Sequence, residues 1–258
     1  MPGVGVVQIT LDHHLSSAVP HKHATVLHLE GQSEWSVRGA HWSARPGSLG
    51  VKIPGEVYRE HARRGLSRFQ VVVFEDALVE KARAALDQPP ADPRAASFDG
   101  LRDPRVKPLM TLHQAMLDEV ESSEALEQTL SDALVTFVEL TAAGPRRVES
   151  PAMWSAAVTR ARALLDGRIT EPVTLDELAA HARLDKFRLC RAFREQVGLP
   201  PHAYVTHRRV SLAQEMLANG VPQAEVAIQV GLYDQSQLHR HFKRILGVTP
   251  GAWARAMR

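Results

Sequence analysis

The chain has 258 residues, 44% of them apolar and 23% charged, which suits two ordinary globular domains, each with its own core. Its single cysteine, Cys190, excludes an intramolecular disulfide and a cysteine-based zinc site. No uncharged apolar run reaches the roughly 18 residues of a membrane span, and no basic-then-apolar leader opens the chain, so a cytoplasmic location is expected. The net charge of +2 is unevenly spread: residues 154–258 carry 15 Lys and Arg against 9 Asp and Glu, and residues 1–153 carry 16 against 20. The basic C-terminal half is therefore the one expected to meet a polyanion.

Strand character runs to about residue 80. LGVKI (49–53) alternates apolar and polar residues, and FQVVVF (69–74) is a β-branched run suited to a buried strand. Turn signals at Glu30-Gly31-Gln32, Arg38-Gly39, Arg45-Pro46-Gly47-Ser48 and Pro54-Gly55 separate short strands, which predicts a small barrel or sandwich. From about residue 76 the pattern turns helical. DALVEKARAALD reads as a helix, QPPADPRAASFDGLRDP as a loop, and 106–116 and 123–140 as two further helices. In the last of these Leu126, Leu130, Leu134, Phe137 and Val138 line one side. That stripe either covers the barrel or meets its copy in a dimer. AAGPRRVESP (142–151) is short, charged and broken by Gly and Pro, and reads as a linker.

The rest of the chain contains an internal near-repeat. LDKFRLCRAFREQVGLPPHAY (184–204) aligns with YDQSQLHRHFKRILGVTPGAW (233–253) at an offset of 49. Each copy is a short helix, a tight turn and a longer basic helix, with small Ala179 or Ala227 where two helices cross. In the second copy Leu238, Phe242, Ile245 and Leu246 mark a buried face. Gln235, His239, Arg240, Lys243 and Arg244 spread over the other, between a cap at Asp234 and a stop at Gly247. Residues 203–219 read as one helix of about 24 Å that spaces the two basic helices roughly one DNA turn, 34 Å, apart.

These features resemble the DNA-binding domain of the AraC/XylS family of bacterial transcription regulators over residues 155–258, most densely in GLYDQSQLHRHFKRILGVTP (231–250). The resemblance implies double-stranded DNA read through the major groove, with base-reading positions at Phe187, Cys190 and Arg191, and at Gln235, Ser236, His239 and Arg240. The chemistry agrees: Arg191 and Arg240 suit guanine, Gln235 suits adenine, and Phe187 suits a thymine methyl. Lys186, Arg188, Arg194, Lys243 and Arg244 suit phosphates, which set register and affinity. The first turn departs from the family pattern, with Arg183 where the second has Gly231. A non-glycine residue at positive φ costs on the order of 1–3 kcal/mol, so that turn is expected to be rearranged or its helix less rigid.

The N-terminal half resembles the cupin-like sensor domain found in many members of the family, through His21-x-His23, Arg45-Pro46-Gly47-Ser48 and Ile53-Pro54-Gly55. The implied fold is α+β in two domains. A cupin-like β-barrel with a helical hairpin occupies residues 1–142, a linker 143–153, and an all-α domain with two helix-turn-helix motifs 154–258. His21 and His23 are expected on one face of a strand. With Trp35, Trp42 and Tyr58 they are the candidates for holding a small organic effector. Tyr58 stands where metal-binding cupins place a histidine, so neither a metal nor another cofactor is expected. A homodimer is expected, and contact with RNA polymerase if the protein activates. The enzyme alternative, a metal-dependent cupin fused to a DNA-binding domain, needs a third imidazole, and only His28, His41 and His61 are near. An architectural, sequence-tolerant DNA binder would need only phosphate contacts, which two base-reading faces of different composition argue against.

Overall fold

A computed structural model describes residues 4–11, 15, 17–88, 97–118, 123–142 and 155–256; the expected linker at 143–153 lies outside them. Among the described residues seven strands form one sheet. They are β1 (Val4–Leu11), β2 (Ser17–Ala18), β3 (His23–Val37), β4 (Ala40–Ala44), β5 (Ser48–Lys52), β6 (Tyr58–Phe74) and β7 (Ser97–Asp99). Their order is β1-β6-β3-β5-β7, with β2 added to β6 and β4 to β3.

The expected closed barrel is not what forms. The order has two ends, β1 and β7, so the antiparallel sheet is open. It curls because its two longest strands bend at glycines with left-handed backbones, Gly31 (φ +82°) in β3 and Gly65 (φ +75°) in β6. At Gly31 a Cβ would lie 2.3 Å from the Leu66 carbonyl oxygen, so only glycine lets the strands approach there. Glu30-Gly31-Gln32 is therefore a bend inside one 15-residue strand, not the expected turn. Arg38 and Gly39 do turn the chain. Both have positive φ (45° and 76°), as a two-residue hairpin needs, and Trp35 comes opposite Trp42. β7 falls in the stretch expected to be loop. It adds to β5 through Ser48 opposite Asp99, and Arg45 donates to the Asp99 carboxylate at 3.1 Å.

Helices α1 (Asp76–Ala85), α2 (Lys107–Asp118) and α3 (Ser123–Ala142) follow, and α2 and α3 pack together as a hairpin. Their apolar sides meet Leu27, Leu49, Val51, Val72 and Phe74 of the sheet in one core. Leu134, Phe137 and Val138 belong to that core, and Leu130 packs against it. The α3 stripe thus covers its own sheet, and of the two readings open from the sequence the intramolecular one holds. Leu130→Asp with Leu134→Asp should therefore unfold the chain rather than yield a folded monomer, because a buried charge would replace core contacts. Circular dichroism with size-exclusion chromatography checks this, and a folded, smaller species would reverse the assignment.

The chain divides into two compact units. The first includes Lys22–Pro54, most of β6 and α1–α3; the second includes Gly55–Arg59, β2 and the remaining helices. Those are α4 (Ala156–Gly167), α5 (Leu175–Ala182), α6 (Lys186–Val197), α7 (Pro201–Ala218), α8 (Gln223–Gln229), α9 (Gln235–Leu246) and α10 (Pro250–Ala256). They enclose two cores. Leu178, Leu189, Phe193 and Tyr204 centre one; Leu217, Val226, Leu238 and Phe242 centre the other. Helix α7 contributes to both, which ties the two halves of the repeat together.

Candidate nucleic-acid interface

Each basic helix is built to start and stop where it does. Asp185 accepts from the backbone N–H groups of Phe187 and Arg188, both at 3.0 Å, and so caps α6. Asp234 caps α9 by accepting from Gln237 at 2.6 Å. Gly198 (φ 94°) and Gly247 (φ 77°) end the two helices in left-handed conformation. Leu189, Phe193 and Val197 are buried on one side of α6, as are Leu238, Phe242 and Ile245 on α9.

The opposite faces are open. Lys186, Phe187, Arg188, Arg191 and Arg194 are exposed on α6, and Gln235, Ser236, His239, Arg240, Lys243 and Arg244 on α9. Phe187 is 86% exposed, so it is no part of the core. Cys190 is half-buried, and with Arg191, Arg194, Glu195 and Pro200 it lines an open cleft of about 610 Å³. Several cations have local partners. Lys186 meets Asp176 at 2.8 Å, Arg188 meets Asp185 at 3.4 Å, and Arg244 donates to His241 Nδ1 at 2.9 Å. Burial, with Arg244 and Arg240 nearby, lowers the His241 pKa, which favours the neutral ring that accepts this bond.

The two turns share one geometry despite their different residues. Leu184 N–H bonds the Ala179 carbonyl at 3.1 Å, and Leu232 N–H bonds the Ala227 carbonyl at 2.9 Å. Of the two expected outcomes, rearrangement does not occur: Arg183 adopts the left-handed conformation itself, at φ 58°. Its side chain is exposed, so Arg183→Gly should keep the turn and raise stability by up to about 1 kcal/mol. A denaturation midpoint below that of the unchanged protein would show that the arginine side chain contributes more than the strain costs.

Residues 178–256 match the family described as Helix-turn-helix domain. The probable transcriptional regulator LumQ of Photobacterium leiognathi is 27% identical over 232 residues, covering 87% of this chain and 86% of that one. A putative AraC-like transcription regulator of Streptomyces antibioticus is 38% identical over 79 residues, 30% of this chain and 26% of that one. The chain is a transcription regulator whose residues 178–256 form an AraC-type helix-turn-helix domain. Its fold resembles that of ToxT from Vibrio cholerae, with a TM-score of 0.65 at 14% identity over 99% of this chain and 97% of ToxT. ToxT bound to an unsaturated fatty acid superposes with a TM-score of 0.61 at 12% identity, covering 98% of this chain and 95% of that one.

Two positioning residues of this regulator escaped the sequence reading. Arg160 of α4 donates to the Ala182 carbonyl at 2.7 Å, at the end of α5. Arg209 of α7 donates to the Gly231 carbonyl at 2.7 Å, and to those of Ile169 and Glu171 at 2.7 and 2.9 Å. The two arginines stand 49 residues apart, the repeat's own offset, and that is the signal that could have found them.

The effector candidates are dispersed. His21 does not share a face with His23: its Nε2 lies 3.9 Å from Glu215, whereas His23 Nδ1 lies 2.8 Å from Asp76 and its ring packs edge-on against Phe137. His23 lines an open cleft of about 600 Å³ with Asp76, Glu80 and Arg83. Tyr58 is fully buried, opposite Ala18. Only Trp35 and Trp42 come together, as a cross-strand pair. His61 accompanies His41, with ring centroids 5.2 Å apart, and lies 2.7 Å from Ser36 Oγ. Among the described residues no group of three or more His, Cys, Asp or Glu side chains is placed to hold a metal.

Proposed function

We propose that α6 and α9 enter successive major-groove segments of a specific operator. Phe187, Cys190, Arg191, Gln235, Ser236, His239 and Arg240 face the bases, and Lys186, Arg188, Arg194, Lys243 and Arg244 face phosphates. The observation that carries this reading is the pair of capped helices in one repeated frame, each exposing its basic face. The 18 residues of α7 span about 27 Å, which supports reading heads spaced near one turn of DNA.

The domain boundaries proposed are 1–142 for a cupin-like sensor, 143–153 for a linker and 154–258 for the DNA-binding domain. The sensor answers to a small organic effector; the likeness to ToxT, solved with an unsaturated fatty acid, supports this. The protein acts in the cytoplasm as a homodimer, and contacts RNA polymerase where it activates.

The test uses a duplex selected by the full chain from a random library. Arg240→Ala should cost about 1–3 kcal/mol on that duplex and relax preference at one base pair. Lys243→Ala should weaken all duplexes about equally. If both variants lose affinity uniformly, Arg240 does not read a base.

A further inference from the structure

The second compact unit takes in two short pieces of the N-terminal half, residues 16–21 and 55–59. They pair with each other, Ser17 opposite Arg59 and Ala18 opposite Tyr58. Within that unit side chains of α4 and α7 hold them. Val19 and Val57, 0% and 7% exposed, belong to the same core as Leu189, Phe193 and Val197 of α6. From α7, Ser211 donates to the Val19 carbonyl and Arg208 to the Pro20 carbonyl, each at 2.6 Å.

Glu56 adds a charge to this seat. Its carboxylate accepts from Arg162 Nη1 of α4 at 3.0 Å, and the two side chains are 4% and 12% exposed. Arg162 is fixed in turn from α7: its Nε donates to the Tyr204 hydroxyl at 3.2 Å, and that hydroxyl donates to Asp166 at 2.8 Å. A buried ion pair offsets its lost hydration only in good geometry with further hydrogen bonds, so this one tolerates little movement of Glu56 against α4. At the other end of the segment Arg59 donates to the carbonyl of Gly198, the residue that ends α6, from a position 139 residues away.

The second motif is built differently. The ring pairs Phe193–Tyr204 and Phe242–Trp253 match across the repeat offset, with centroids 5.7 and 6.1 Å apart. Beyond that match the cores diverge. Among the described residues the second core draws on residues 210–254 alone, and β2 runs beside α9 without giving it a side chain. Base contacts demand that a reading helix be held to within about 0.5 Å. For α6 part of that hold comes from outside the repeat.

We propose that Glu56, Val57 and Arg59, seated with Val19 in the core of the first motif, are positioning residues for α6. The first reading helix depends on them and the second does not. The proposal rests on the reading of α6 and α9 as base-reading helices.

The test assays the full chain on the duplex it selects from a random library and on two derivatives. One derivative is scrambled at the base pairs whose preference Arg191→Ala relaxes, the other at those that Arg240→Ala relaxes. Glu56→Gln should weaken binding to the selected duplex about tenfold, and Arg59→Gln about threefold. Both losses should persist when the base pairs of α9 are scrambled and vanish when those of α6 are. The salt slope of Arg59→Gln should equal that of the unchanged protein, whereas a lost phosphate contact would lower it by about one. Circular dichroism checks folding. Arg59 is exposed, so its variant carries the test even where Glu56→Gln unfolds. Losses equal on all three duplexes, no loss from Arg59→Gln, or a lowered slope would overturn the proposal and leave the base-reading assignment standing. If Arg191→Ala and Arg240→Ala relax no base pair, that assignment falls and takes the proposal with it.

Discussion

Gly231→Ala should destabilise the protein by about 3 kcal/mol or more and remove the contribution of α9 to DNA binding. Gly231 has φ +78°, where a side chain alone costs roughly 1–2 kcal/mol. The larger effect is steric. A Cβ at this position would fall 2.1 Å from the Thr170 carbonyl oxygen and 2.7 Å from its carbon. Neither backbone can easily withdraw, because Arg209 donates to the carbonyls of Ile169, Glu171 and Gly231 and holds both strands of the contact. Chemical denaturation and operator binding measure the outcome. A variant of ordinary stability would mean that the turn relaxes without loss. Arg183→Gly at the matching turn should change stability in the opposite direction, since it removes a side chain from a left-handed position instead of adding one.

Affinity of the full chain for its operator should fall roughly 500-fold between 50 and 200 mM salt. Lys186, Arg188, Arg194, Lys243 and Arg244 are the five side chains assigned to phosphates, and at about 0.9 per contact they give a slope near −4.5. The ion pairs of Lys186 with Asp176 and of Arg188 with Asp185 are exposed, so exchanging a carboxylate for a phosphate costs little. A logarithmic slope shallower than −1 would remove the electrostatic basis of the interface. Loss of Arg194 or Lys243 should lower the slope by about one each.

The DNA-reading half was largely legible because its signals are local. A cap at Asp234 acts on Gln237, three residues away, and the buried stripe of α9 repeats every three or four residues. The repeat then supplied the second helix by comparison with the first. That the turn at Arg183 keeps the geometry of its glycine counterpart was not legible, because a local conformational cost does not say whether the rest of the fold will bear it.

The N-terminal half depended on distant partners. Alternation identified β5 and a β-branched run identified the end of β6, but no local pattern says whether a glycine reverses a strand or bends it. At Gly31 the close approach of Leu66, far along the chain, decides for a bend. His23 takes Asp76 as its partner across 53 residues and Thr25 takes His113 across 88, so the spacing of His21 and His23 could not reveal where either side chain points. The α3 stripe shows the same division. Its periodicity determined a helix with one apolar side, whereas the partner of that side was settled by the area the curled sheet leaves to be covered. Sequence alone determined the helices, caps and charges of the proposed DNA-reading faces, since their energies act within a turn of backbone. Only the tertiary structure decided the open sheet and which of its side chains the helices cover, because those depend on strands that meet only after the chain has folded.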